Sequence, residues 1–501
     1  MSLLSALARM EALHRGRAVP LATVRHVRLA DRPLVLIPLR LAGEAAAPLA
    51  VMAGTRREDP RLLMVPQPLN RDLRFAFFAE LSGLVLQAVA AAQVGAETLE
   101  IKRGERKGET YQRFLDAPQL LVPNPGGVEF LRLAGRSTRF RQAEGEWSVP
   151  EEVPLLGRWL TWFADRSDYP GSSVLCAMTG LLSLHWATGQ SPLEDGNLAT
   201  QLAWIDPPPG FSGLEAAQEA EDPLLHPPAG PATDPSFDNE VLAPLIDAYN
   251  TAGEDGSARD FAAERIAKAL ATQLEPTWEL MWRGIGLLRA LPEAPSVPQR
   301  FEGDRQSFTN FEESLAEGAP QARRDGAVAA ARRLASLEAA ASRYSVQRAL
   351  DDPLVLAEHR LVGEAFRGEV VWTDPENVNE KGLRRPLVRI ATDDRLRVEP
   401  GKTVHNAARS QKAEVLEVED SPQMRYVLLR IENGMGNSRK PNPGSIPEPG
   451  DRMCFTTFTD EFRPSANLPE PEETPWTHGG PPETLEPPNE TAAEEMSHES
   501  A

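Results

Sequence analysis

Cysteine is nearly absent. Cys176 and Cys454 are the only two in 501 residues, far apart and each within an apolar run. With no Cys-x-x-Cys pair and no Cys/His cluster, the chain lacks the ligands of a structural zinc site and the framework of a disulfide scaffold. Two reduced, buried thiols in a cytoplasmic protein are the expectation. No 18 consecutive residues are apolar, so no membrane span is expected. Residues 1–17 carry Arg9, Glu11 and Arg15 among helically spaced leucines, which argues against a secretory signal. Positive charge is in deficit: 53 Lys and Arg against 73 Asp and Glu leave −20, a balance that repels nucleic acid and anionic membrane at long range.

Catalytic signatures are also missing. No Gly-x-Ser-x-Gly elbow occurs, and the eight histidines are scattered. Gly401-Lys402-Thr403 resembles the end of a phosphate-binding loop, but Leu396 stands where the first glycine is needed and Glu399 would repel phosphate, so a turn is expected. Gly284-Ile285-Gly286 lies in a helical stripe, without the third glycine of a dinucleotide loop, and reads as close helix packing. His185 reads as a hydrogen-bonded packing residue, and His359 has no metal-ligand spacing. No cofactor is called for.

What is present predicts an α+β multi-domain chain. Residues 1–140 form an N-terminal α+β domain. Its four β-leaning runs, 22–29, 33–41, 48–55 and 61–65, read as an antiparallel β-meander. A long apolar helix capped by Asn70 or Asp72 follows to Gln93, with strands at 97–102 and 119–122 and a helix after Gly127. Residues 141–365 read as a helical domain interrupted by a Pro-rich loop, 206–236. Its helices are expected from Pro154, at 172–186, 258–273, 277–290, 306–315 and 321–350, and after Asp352-Pro353. At Gly368 the period changes to two. Runs 369–373, 387–392, 412–419, 425–432 and 452–458 predict a small β-barrel over 366–462, OB- or SH3-like by analogy. Residues 463–501 are expected to be a disordered acidic tail: from Pro464 onward they hold nine Glu and no Lys or Arg.

Three places suggest function. Glu100-Ile101-Lys102 has the E-x-K pattern of metal-dependent nucleases, in which a carboxylate and a lysine on one strand face hold a cation and orient water; it needs a second carboxylate, with Asp72 and Asp116 the candidates. Lys381–Lys412 holds nine basic residues (Lys381, Arg384, Arg385, Arg389, Arg395, Arg397, Lys402, Arg409 and Lys412) against three acids, a local +6. A cationic groove with aromatic platforms is how small barrels hold single strands, and Trp372, Tyr426, Phe455 and Phe458 are the aromatics at hand. Trp476, in Thr474-Pro475-Trp476-Thr477-His478, has the form of a docking anchor. The leading expectation is a non-catalytic accessory or scaffold protein, with a protein partner and possible nucleic-acid contact through the barrel. The alternatives are a nuclease or hydrolase at Glu100 and Lys102, or a protein-binding module acting through the tail. The Ala-, Arg- and Pro-heavy vocabulary points to a GC-rich bacterial genome.

Overall fold

A computed structural model describes residues 3–44, 47–101, 107–223, 226–421, 424–437 and 439–460. Lys102 and the acidic tail with Trp476 lie outside the described residues.

The chain is a mixture of helices and sheets. After helix α1 (Leu3–Arg15), strands β1 (Leu34–Arg40), β2 (Pro48–Gly54) and β3 (Arg61–Met64) pair antiparallel. Strands β4 (Ala96–Glu100) and β5 (Thr110–Phe114) form a separate hairpin. Strands β6 (Leu120–Val122) and β7 (Leu175–Ala177) join β1 in parallel, giving a five-stranded sheet ordered β3-β2-β1-β6-β7. Three of the four expected runs thus pair as an antiparallel meander, and β6 and β7 extend it into a mixed sheet. Run 22–29 is not a strand, because side chains satisfy its amides: Asp352 accepts from Thr23 N, and His185 Nε2 from His26 N.

β1 has no polar residue before Arg40, the pattern of a strand covered on both faces. Leu34 and Leu36 enter one core with Val51 and Leu120; Val35, Ile37 and Leu39 enter another with Met52 and Leu121. Both cores draw on residues from either side of position 140.

On the first face lie α2 (Arg71–Ala92), α3 (Pro125–Thr138) and α4 (Glu152–Ser167). Asn70 caps α2 by accepting from Leu73 N at 3.0 Å. Among the described residues α2 is the one helix long and apolar enough to cross a bilayer, and half of that stretch is buried inside the fold. α3 and α4 cross closely: a Cβ on Gly157 would lie 2.3 Å from the Arg139 amide nitrogen.

On the second face, α5 (Met178–His185) follows β7, so the helix expected at 172–186 covers only the later part of that span. α6 (Leu198–Ile205) precedes α7 (Gly213–Glu221), which sits inside the expected Pro-rich loop. Ser212 and Glu215 close a capping box at its start, with Ser212 N donating to Glu215 Oε2 at 2.9 Å. After α8 (Ala243–Thr251), α9 (Gly256–Arg289) runs through Pro276, where two helices were expected. The cost of an internal proline is about 3 kcal/mol. It is outweighed because Leu270, Leu274, Trp278, Met281, Ile285 and Leu288 are all buried on one continuous stripe. Gly284 leaves room there for Met178, whose Sδ would be 2.9 Å from an added Cβ.

α10 (Val297–Ala316) and α11 (Ala327–Asp351) lead to α12 (Pro353–Val362), which carries the barrel. Asp352 is fully buried at this joint. It caps α12 by accepting from Leu354 N at 2.9 Å, and it also accepts from Thr23 N at 2.6 Å. Its Oδ2 lies 3.5 Å from His26 Nε2, and the His26 ring stacks on His185 at 5.9 Å between centroids.

Gly363, at φ 82°, turns the chain out of α12 into the barrel. Strands β8 (Ala365–Asp374), β9 (Leu387–Thr392), β10 (Thr403–Asn406), β11 (Gln411–Asp420), β12 (Arg425–Ile431) and β13 (Arg452–Thr456) form a closed antiparallel barrel ordered β8-β9-β12-β11-β10-β13. Phe366, Val370, Ile390, Val415, Val427 and Phe455 are among the side chains that fill it, a core separate from the other two.

Candidate functional site

Inward and outward positions alternate along β8 through Val370, which is fully buried. Continued unbroken, that period would place Trp372 inside. A β-bulge between Val370 and Trp372 inserts one residue, and both Val371 and Trp372 come out to solvent, at 44% and 46% exposure. A second bulge, between Val415 and Glu417, resets β11. The result is a groove of about 610 Å³ on the outer wall, lined by Val371, Trp372, Arg389, Tyr426, Leu428 and the Glu417–Glu419 pair.

The rim is rigid. The Arg389 guanidinium lies 4.7 Å from the Tyr426 ring centroid and donates to Glu419 Oε2 at 2.5 Å. Glu417 makes no ion pair among the described residues. The groove is therefore aromatic and slightly acidic.

The basic run does not converge on this wall. Arg385 pairs with Glu432 at 2.9 Å, Arg409 with Asp451 at 2.7 Å, and Arg384 with Glu376. Over residues 365–460 there are fifteen Lys and Arg and fifteen Asp and Glu, so the local +6 is cancelled by acids on the neighbouring strands. Arg395, Arg397, Lys402 and Lys412 are exposed and make no ion pair among the described residues, as is also true of Lys381. Lys412 is seven residues along β11 from Glu419, roughly 23 Å at about 3.3 Å per residue. The structure thus brings together Trp372, Tyr426 and Arg389, and leaves the unpaired cations elsewhere. Phe455 is inside the barrel, and Phe458 packs on His359 at 4.6 Å.

No protein-family model, curated protein or solved structure matches the chain. The reading of the site therefore rests on its own chemistry.

Glu100 ends β4 and faces Thr110 across the hairpin, with Glu109 in the adjoining turn. The two other acids nominated to complete its site are engaged elsewhere: Asp116 accepts from Arg28 at 2.8 Å and Asp72 from Arg71 at 2.9 Å. Among the described residues, no group of three His, Cys, Asp or Glu side chains is arranged to hold a metal ion. Gly401 is in a turn at φ 83°. His359 Nδ1 pairs with Glu364 at 2.9 Å. His185 is buried, its Nδ1 2.7 Å from Leu181 O. Burial pushes the Cys176 thiol up to about 12, so it is held as a thiol.

Sequence reasoning missed one further feature. A cavity of about 950 Å³ lies between the sheet, α2 and α10. Arg28, Arg32, Arg56 and Arg61 line it together with Asp31 and Asp59. Its residues come from segments far apart in the chain, and no local pattern announces it.

Proposed function

We propose that this chain is a non-catalytic accessory or scaffold protein of the cytoplasm, and that its barrel receives a segment of a partner protein in the Trp372–Tyr426 groove. The observation that carries this is the pair of aromatic residues turned outward, one by a bulge, beside apolar Val371 and Leu428 and a guanidinium already neutralised by Glu419. Aromatic anchors on a pre-ordered surface supply most of the energy of small protein interfaces. A phosphate backbone would meet Glu417 and Glu419 there, which favours a peptide over a nucleic acid. We read the barrel as OB- or SH3-like, supported by six short strands closed within about ninety residues.

The test places a photo-reactive phenylalanine analogue at position 371 in the full chain. One discrete adduct is expected. It should weaken by roughly thirtyfold when Trp372→Ala removes the anchor. Fold stability should change by no more than about 0.5 kcal/mol, because the ring is half exposed. No adduct, or one indifferent to Trp372, removes the reading.

A second reading is favoured by the exposed, unpaired Arg395, Arg397, Lys402 and Lys412, which would contact the phosphates of single-stranded nucleic acid. Four phosphate contacts give a slope of about −3 in log K against log salt. Arg397→Ala with Lys402→Ala should halve it. Absence of binding to labelled oligothymidine at about 50 mM salt eliminates this reading.

A further inference from the structure

We propose that the cleft between α12 and the barrel is a binding site for a small phosphorylated molecule, its phosphate held by Arg367, Arg409 and Arg452. The cleft measures about 370 Å³, the scale of a small ligand, and the residues lining it include four arginines and no carboxylate. Arg367 on β8 lies directly opposite Cys454 on β13, and Arg452 is two residues from Cys454, so all three point to the same outer face. Arg409 reaches the cleft from the turn after β10.

The four arginines differ in what they have left to give. Arg360 is spent: both its Nε and Nη2 donate to Asp394 at 2.8 Å. Arg409 is half spent. Its Nη2 donates to Asp451 at 2.7 Å, whereas its Nη1 is buried and has no acceptor. A buried, unpaired donor costs free energy that an incoming oxygen would recover. Arg367 and Arg452 are exposed and make no ion pair among the described residues, although Glu369 sits across the ladder from Arg452. Two free guanidinium groups and one unsatisfied N–H on the wall of a cleft suit a tetrahedral oxyanion, which accepts several hydrogen bonds at once.

Apart from Arg360, the helical side of the cleft is apolar. Leu350 lies in the last turn of α11, and Pro353 and Leu356 in the first turn of α12. These would cover the organic part of the ligand. No aromatic ring lines the cleft, so it offers no stacking platform for successive bases, which favours a small phosphate ester over a nucleic-acid backbone. A ligand seated here would touch α12 and three barrel strands together, and so would tighten the joint between them.

The test is titration of the full chain with inorganic pyrophosphate and with adenosine monophosphate, read by calorimetry and phosphorus NMR line width. Both are expected to bind. The double variant Arg367→Ala, Arg452→Ala should weaken both by about tenfold or more. Both side chains are exposed, so circular dichroism and the thermal midpoint should be unchanged. The pair Arg332→Ala, Arg343→Ala, exposed on α11 and outside the cleft, should leave binding intact. No binding of either probe overturns the proposal, as does an equal loss in the two double variants. Oligothymidine that binds through Arg367 and Arg452 while neither small probe competes overturns it in favour of a nucleic-acid backbone.

Discussion

Replacing Asp304 with alanine is expected to destabilise the protein by about 3–5 kcal/mol. The residue sits on α10 with 1% of its surface exposed. Its Oδ1 accepts from Arg166 Nη2 at 2.9 Å and from Ser172 Oγ at 2.7 Å; its Oδ2 accepts from the Ser173 amide at 2.8 Å and from Ser173 Oγ at 3.0 Å. One carboxylate thus ties α4, α10 and the segment entering β7. Truncation would leave a largely buried guanidinium without its counter-charge and a buried amide without an acceptor, and those losses add to the lost pair. Asp304→Asn keeps an acceptor but not the charge, and should fall between. Glu419→Ala breaks an exposed pair and should cost no more than about 1 kcal/mol. Urea unfolding measures all three. A change below about 1 kcal/mol for Asp304→Ala would show that the cavity floods with water and the network is not holding the helices.

Stability is expected to fall steeply between pH 6.5 and 4. Burial is the main cause that lowers the pKa of both His26 and His185 to about 4. For His26 the nearby Arg348 charge adds to it; for His185 the Leu181 carbonyl opposes it. The folded values lie below the unfolded one, so the unfolded chain binds more protons throughout this window. The contribution is therefore complete above about pH 6.5 and drains away as pH falls to about 4, below which these two groups cost nothing more. Each acting alone is worth on the order of 3 kcal/mol, and their stacking makes the second protonation harder than the first. Asp352 does not cancel this. Burial pushes its carboxyl up, but the amides of Thr23, Leu354 and Val24, with His26, hold it below the usual range. It stays charged across the window. Urea midpoints at half-unit steps give the profile, and His185→Gln should flatten it. A profile level from 6.5 to 4.5 would mean that the joint opens without unfolding the rest.

The parts of the fold that could be read in the sequence are those where one local signal dominates. β1 has an unbroken apolar run, Asn70 and Asp352 are caps, and the barrel strands alternate between turns rich in Gly and Pro. The parts that could not be read were decided by distant partners. Run 22–29 looks β-like, but its amides are claimed by His185 and Asp352, both more than 150 residues away. Pro276 looks like a helix end, but a buried stripe carries α9 through it. The candidate site was half visible. Trp372, Tyr426 and Arg389 were nominated and do meet. The bulge that turns Trp372 outward leaves no mark in composition, and neither does the pairing of Arg384, Arg385, Arg389 and Arg409 with acids up to 47 residues away. Counting charge along a stretch of chain takes no account of those acids, which pair four of the nine cations and leave five without an ion pair among the described residues.

The ring of six strands closes, but β10 and β13 meet at a single pair, His405 and Thr456, and beyond Val415 strand β11 pairs with β12 alone. A partner could add a strand of its own, the route used where a sheet ends in an open margin, only along that short one-sided stretch. Over the rest of the wall recognition has to pass through side chains, and substitutions there should retune the choice of partner without loosening the backbone beneath.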